Sequence, residues 1–145
     1  GMSGGLHVSQ KNDYPITVLR GHSIAEVVLD RRPIDYTGFA QPKVVICVAA
    51  EGVARRKKIF SALAEDAVVV KDGRLSLPET RARVIEMDFA DLQIRPSEQA
   101  LAALAVLARE EILLTHAMLA AGLGHRYRGK MLEEALAVAA RICGR

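Results

Sequence analysis

The run Val44-Val45-Ile46-Cys47-Val48-Ala49 contains no polar side chain. A strand with one wet face alternates apolar and polar residues. An unbroken apolar run opened by Pro42 instead predicts a strand covered on both faces, as in a sheet with helices on each side. Ala67-Val68-Val69-Val70 has the same character and is expected to close in the turn Lys71-Asp72-Gly73. Between these runs, Gly52 to Leu63 reads as a helix. Val53, Ile59, Phe60, Leu63 and Ala64 share one sector of it, and Arg55 and Lys58 point away. Arg56 falls inside the apolar sector, so it is expected to snorkel out or to meet a partner. Val84 to Met87 is a third, weaker strand candidate.

Leu6 to Gln10 alternates with a period of two and reads as a strand, followed by turn formers from Lys11 to Pro15. Ile16 to Leu19 is a short extended piece, and Arg20-Gly21-His22-Ser23 turns the chain again. Ile24 to Leu29 is expected to be a strand with one wet side at Glu26, ended by Asp30-Arg31-Arg32-Pro33. The last third is helical. Ser97 is the expected N-cap and Gly122 the expected stop of one long helix reaching Ala121. Leu101, Leu104, Ala105, Ala108 and Ile112 form a stripe along it, while Ala102, Val106 and Leu113 make its other side apolar too. Such a helix is either deep in a core or shared with another chain. In the final helix, Lys130 to Ile142, the expected inward residues are Met131, Leu132, Ala135, Leu136, Ala139 and Ile142. Glu133, Glu134, Ala137 and Arg141 face water. Together these pieces predict a three-layer α/β/α domain with a largely parallel or mixed sheet and a helical C-terminal third.

Length and composition bound what such a chain can be. The 145 residues suit one domain, expected over residues 6–145, with residues 1–5 as a disordered tag and leader. Half the residues are apolar and about a quarter charged, an ordinary globular balance. Ile112 to Gly124, the longest stretch without a formal charge, is shorter than the roughly 18 to 20 residues a bilayer crossing takes. With no secretory leader in view, a cytoplasmic location is expected. Cys47 and Cys143 are the two cysteines and read as unpaired thiols. They are too few to supply the four thiolates of an iron–sulfur cluster. His7, His22, His116 and His125 lack zinc-site spacing, so no metal site is expected.

A net charge of +3 is too small to announce a nucleic-acid binder. The charge is nevertheless clustered, at Arg55-Arg56-Lys57-Lys58 and at His125-Arg126-Tyr127-Arg128-Gly129-Lys130. Neither the dinucleotide nor the triphosphate glycine motif occurs, and there is no G-x-S-x-G elbow. Ser23 beside His22 lacks a base–orienter pair. Asp88 and Asp91, three apart, read as solvated acids on a helix surface. Two segments remain. Tyr14-Pro15 through Arg20-Gly21-His22-Ser23 sets an aromatic, a guanidinium and an imidazole in one connection between strands, either a binding loop or a solvated surface hairpin. In the second, Arg126, Arg128 and Lys130 could engage phosphates while Tyr127 stacks on a base, or could be solvated charges ahead of a helix.

The order of these pieces resembles the gamma subunit, or gamma domain, of the 2-oxoacid:ferredoxin oxidoreductases. The resemblance runs from about Gly5 to Ile142. It is carried by Gly5-Leu6-His7-Val8, Tyr14-Pro15, Arg20-Gly21-His22-Ser23, Glu26-Val27-Val28-Leu29 and Pro33-Ile34-Asp35-Tyr36. It continues through Pro42 to Ala49, Val68-Val69-Val70-Lys71-Asp72 and Arg126-Tyr127-Arg128-Gly129-Lys130. It implies a non-catalytic partner subunit of an enzyme that oxidatively decarboxylates 2-oxoacids to acyl-coenzyme A and reduces ferredoxin. It also implies that thiamine diphosphate and iron–sulfur clusters sit on other subunits, and that this domain lines the interface near the active site, where it can help receive coenzyme A. Tyr14, Arg20, Gly21, His22 and Ser23 match the family's interface stretch Y-G…R-G-G, with one extra residue of spacing and His22 in place of a Gly. The family's opening G-x-G-G-Q-G unit does not appear in this sequence. The expectation is that the chain is part of a longer product or that a partner supplies that layer. An Asn typical of the long C-terminal helix is also absent.

The expected partners are therefore the thiamine-binding and iron–sulfur subunits, with a homodimer as a further form and no nucleic acid or membrane. The competing reading is a stand-alone module for a phosphorylated ligand such as coenzyme A or a nucleotide, carried by Arg126, Arg128 and Lys130. RNA binding through the two basic clusters is a third, disfavoured because no aromatic platform accompanies Arg55 to Lys58.

Overall fold

A computed structural model describes residues 5–13, 23–35 and 41–144. The strands lie in two sheets. Strands β1 (His7–Asp13) and β2 (Ile24–Asp30) form an antiparallel ribbon, and β3 (Val44–Cys47), β4 (Val68–Asp72) and β5 (Arg83–Met87) form a second sheet in the order β3-β4-β5. Arg83 N–H donates to the Ala67 carbonyl and Gly73 N–H to the Met87 carbonyl, so β4 and β5 run in the same direction. The expected α/β class stands, with the N-terminal strands in a sheet of their own. The chain divides into two compact units, residues 1–69 with 75–85, and residues 70–74 with 86–145.

In the first unit, β1 runs past the turn expected at Lys11. Lys11, Asn12 and Asp13 pair with Glu26, Ala25 and Ile24, and this pairing overrides their turn propensity. Ile16 to Leu19 and the turn residues Arg20 to His22 lie outside the described residues. The helix expected from Gly52 to Leu63 is two short helices, α1 (Ala50–Arg55) and α2 (Lys57–Ala62). They are separated at Arg56, whose φ of −110° and ψ of 21° leave the helical basin. The core of this unit is Cys47, Val53, Phe60, Leu63, Ala67, Val69 and Ala82. Full burial of Phe60 and Val69 stabilises by about 1.5–3 kcal/mol each. The run read as doubly covered is only partly so. Cys47 is buried, but Val44, Val45 and Ile46 are half-buried, because β3 is an edge strand of its sheet and the fully buried strand is β4.

In the second unit, Asp88 does not lie on a helix. Its Oδ1 accepts from the Ala90 and Asp91 N–H groups at 3.0 and 3.1 Å, closing a turn. Ser97 sits within a single 3-10 turn, Pro96–Glu98, and is not an N-cap. The long helix expected from there to Ala121 is α3 (Gln99–Arg109) and α4 (His116–Arg126). Glu111 and Leu113, at φ of 55° and 64°, break the helix between them. The Thr115 hydroxyl then accepts from Met118 N–H to cap α4, which runs through Gly122 without stopping. Helix α3 is buried over much of its surface, though Leu104 of the expected stripe is exposed and Leu101 half-buried. Ala102, Ala103, Ala105, Val106, Leu107 and Ala108 are buried, and α4 and α5 (Gly129–Cys143) pack on it. The inward face of α5 is Ala135, Val138, Ala139 and Ile142 at i, i+3, i+4 and i+7. Met131 and Leu136, expected inward, are exposed because they lie off that stripe.

Candidate functional site

The last described residue of the expected binding loop, Ser23, is exposed just before β2. Tyr14, Arg20, Gly21 and His22 lie outside the described residues. The second expected segment is fully described. His125 and Arg126 form the last turn of α4, Tyr127 and Arg128 the link, and Gly129 and Lys130 the first turn of α5. Gly129 holds a φ of 54°, a conformation that side-chain-bearing residues adopt only at a cost, so a glycine fits this sharp entry.

The cations there are already engaged. Arg128 Nη1 donates to the Gly124 carbonyl and to the Tyr127 carbonyl, the latter at 2.8 Å, and so completes the open C-terminal end of α4. The Arg126 guanidinium lies 5.7 Å from the centre of the Tyr127 ring. Lys130 Nζ is 3.9 Å from Glu134, one turn on. Arg126, Arg128 and Lys130 are adjacent in the chain, but each is turned to its own local partner. The three side chains are exposed on the joint between α4 and α5.

Sequence reasoning missed a charged cluster at the carboxyl ends of β4 and β5, the end of a parallel sheet where ligands commonly bind. Lys71 and Asp72 belong to β4 and are buried, where a turn was expected. Lys71 Nζ lies 2.6 Å from Glu86 and donates to the Gly73 carbonyl at 3.3 Å. Asp72 accepts from the Arg74 backbone N–H (3.0 Å), Arg74 Nε (3.2 Å), Arg74 Nη2 (2.8 Å) and Gln99 Nε2 (3.4 Å). The Arg74 hydrogen bonds hold the Asp72 carboxyl below the usual carboxylate range against the opposing pull of burial. Both carboxylate oxygens are occupied by these donors, so the cluster closes on itself and locks the strand end to α3. The only sequence signal for it was two charges following directly on an apolar run.

The groups implied by the resemblance can be tested against the donors present. Cys47 and Cys143 are two thiols where a cluster takes four thiolates, so the chain does not fit an iron–sulfur centre of its own. Among the described residues, no group of three or more His, Cys, Asp and Glu converges as a metal site.

Comparison with solved structures places the fold. The gamma subunit of a keto/oxoacid ferredoxin oxidoreductase from Geobacter sulfurreducens matches with a TM-score of 0.73 at 16% identity, over 99% of this chain and 80% of that one. The pyruvate oxidoreductase subunit PORC from Thermotoga maritima matches with a TM-score of 0.70 at 14% identity, over 97% and 79%. No curated protein matches the sequence. The model of the pyruvate ferredoxin/flavodoxin oxidoreductase family matches residues 1–143, nearly the whole chain, and the chain belongs to that family.

Proposed function

We propose that this protein is a gamma-type partner subunit of a 2-oxoacid:acceptor oxidoreductase, the enzyme that converts 2-oxoacids to acyl-coenzyme A and hands the electrons to ferredoxin. The observation that carries the reading is the family match over residues 1–143, joined by fold likeness to two subunits of such enzymes. On this reading the chain is non-catalytic alone. Thiamine diphosphate and the iron–sulfur clusters reside on neighbouring subunits, in keeping with a chain that has only two thiols. The stretch Tyr14, Arg20, Gly21, His22 and Ser23 is the part that faces the neighbouring active site, the role its match to the family's interface loop suggests, and the enzyme works in the cytoplasm. Among the described residues no helix is long and apolar enough to cross a membrane. The competing phosphate-module reading is disfavoured by the local partners that already engage Arg126, Arg128 and Lys130.

The test is recovery of the tagged chain from its native cells at low salt, with partners identified by mass spectrometry. Stoichiometric co-recovery of a thiamine-binding subunit and an iron–sulfur subunit, with 2-oxoacid-dependent acceptor reduction in the recovered complex, is the expected result. A chain recovered alone and monomeric would overturn the proposal.

A further inference from the structure

Several cations in the described residues have an acid at hand: Arg32 with Asp30, Lys43 with Asp66, Arg74 with Asp72, Arg95 with Glu98, Arg109 with Glu110. The junction of α1 and α2 instead gathers three exposed cations within four residues. Arg55, Lys57 and Lys58 are exposed, and among the described residues none of the three forms an ion pair. Between them Arg56 turns inward, with Nη2 3.0 Å from Glu26 and 3.7 Å from Asp13 on the ribbon. That anchor holds the residue at which the helix breaks, so the chain corner stays fixed and its neighbours stay outward.

The placement runs against local stability. Lys57 and Lys58 occupy the first turn of α2, which has no acidic residue and no side-chain cap. Positive charge at a helix start is opposed by the helix dipole, whereas Arg55 lies in the last turn of α1, where the dipole favours it. Lys57 and Lys58, kept at a helix start with no acid in that turn, point to a function outside the fold. The aromatic of this segment, Phe60, is buried, so no stacking platform for bases is present.

We infer that Arg55, Lys57 and Lys58 form a docking surface for an acidic protein face carried by a neighbouring subunit. This rests on the partner-subunit reading and adds to it the place and chemistry of one contact. Such a surface steers association and sets its salt dependence.

The test uses the full chain in two assays. Binding to fluorescent poly-L-glutamate at low salt probes the acidic-surface chemistry, and assembly with the thiamine-binding subunit probes the biological contact. The cluster variant Arg55→Glu, Lys57→Glu, Lys58→Glu is compared with Arg31→Glu, Arg32→Glu, Arg81→Glu, which changes net charge equally at exposed sites elsewhere. The expected result is binding weaker by on the order of tenfold or more for the cluster variant than for the control, in both assays. Its Tm should stay close to wild type, since relief of the dipole at the start of α2 by Lys57→Glu and Lys58→Glu is offset by the acid that Arg55→Glu puts at the end of α1. If the Glu variant misfolds, Arg55→Gln, Lys57→Gln, Lys58→Gln serves in its place. Equal weakening by both variants would show an effect of net charge alone and overturn the inference. So would tighter binding to a single-stranded RNA oligomer than to poly-L-glutamate of equal charge. Assembly of wild type and cluster variant with equal affinity would overturn the docking surface and leave the subunit reading intact. A wild type that assembles with no thiamine-binding subunit, while the cluster alone governs poly-L-glutamate binding, would remove the subunit reading and retain the acidic-surface chemistry.

Discussion

Asp72 is buried at the end of the central strand, and the partner that matters most to it, Arg74, is two residues away. Because its folded pKa is depressed, the stabilisation it supplies is present above the unfolded value near 4 and is lost as pH falls through the folded value. Glu98, held down first by its hydrogen bond from Arg95, behaves with the same sign. Asp72→Asn keeps the shape but loses the charge, and Arg74 is exposed enough to rehydrate. The expected cost is therefore about 1–2 kcal/mol at pH 7 in urea unfolding. The difference from wild type should shrink toward pH 3, and a cost that is flat between pH 7 and 3 would count against the assigned role. Lys71-Asp72-Gly73 looks like a turn because Asp-Gly is a turn signal. The sequence could not show that Arg74 and Gln99 would satisfy a buried carboxylate, since the Gln99 contact spans 27 positions.

At the scale of elements, the errors share a cause. Periodicity detects an apolar stripe but not a change of axis within it, so α1 with α2, and α3 with α4, each read as one helix. The break after α3 is set by two non-glycine residues in left-handed backbone, Glu111 and Leu113, which are costly there and carry no compositional mark. Thr115 was the available signal, a cap residue followed three positions later by the N–H it accepts from. Thr115→Ala should cost about 1 kcal/mol, read as a lower urea midpoint with unchanged slope. Leu113 is exposed and at φ 64°, so Leu113→Gly loses little burial and relieves strain. It should be neutral to stabilising by up to about 1 kcal/mol, despite glycine's larger unfolded-state entropy. A destabilised Leu113→Gly would mean that the turn is held by contacts of the leucine side chain.

For the whole molecule, the α/β class and the family were legible because they rest on the order of apolar runs, which the strands β2 to β5 reproduce closely. The candidate site was less legible. Most of the expected loop lies outside the described residues, and the basic segment before α5 proved to be engaged locally. What the alternating pattern did not reveal is which face of the ribbon is the more exposed. The pairing sets Val8 opposite Leu29 and Gln10 opposite Val27 on one face, where Val8, Leu29 and Val27 are 40%, 43% and 49% exposed. Glu26, read as the wet side, lies on the other face and reaches Arg56. Apolar side chains clustered on one exposed sheet face favour association when no partner covers them, and a net charge of +3 offers little repulsion against it. The isolated chain should therefore self-associate with rising concentration in sedimentation velocity. Val27→Thr with Leu29→Thr keeps β propensity while removing apolar surface, and should shift the boundary toward monomer without lowering Tm appreciably. A wild-type chain that sediments as a monomer across the same range, indistinguishable from the double variant, would show that this face is not adhesive.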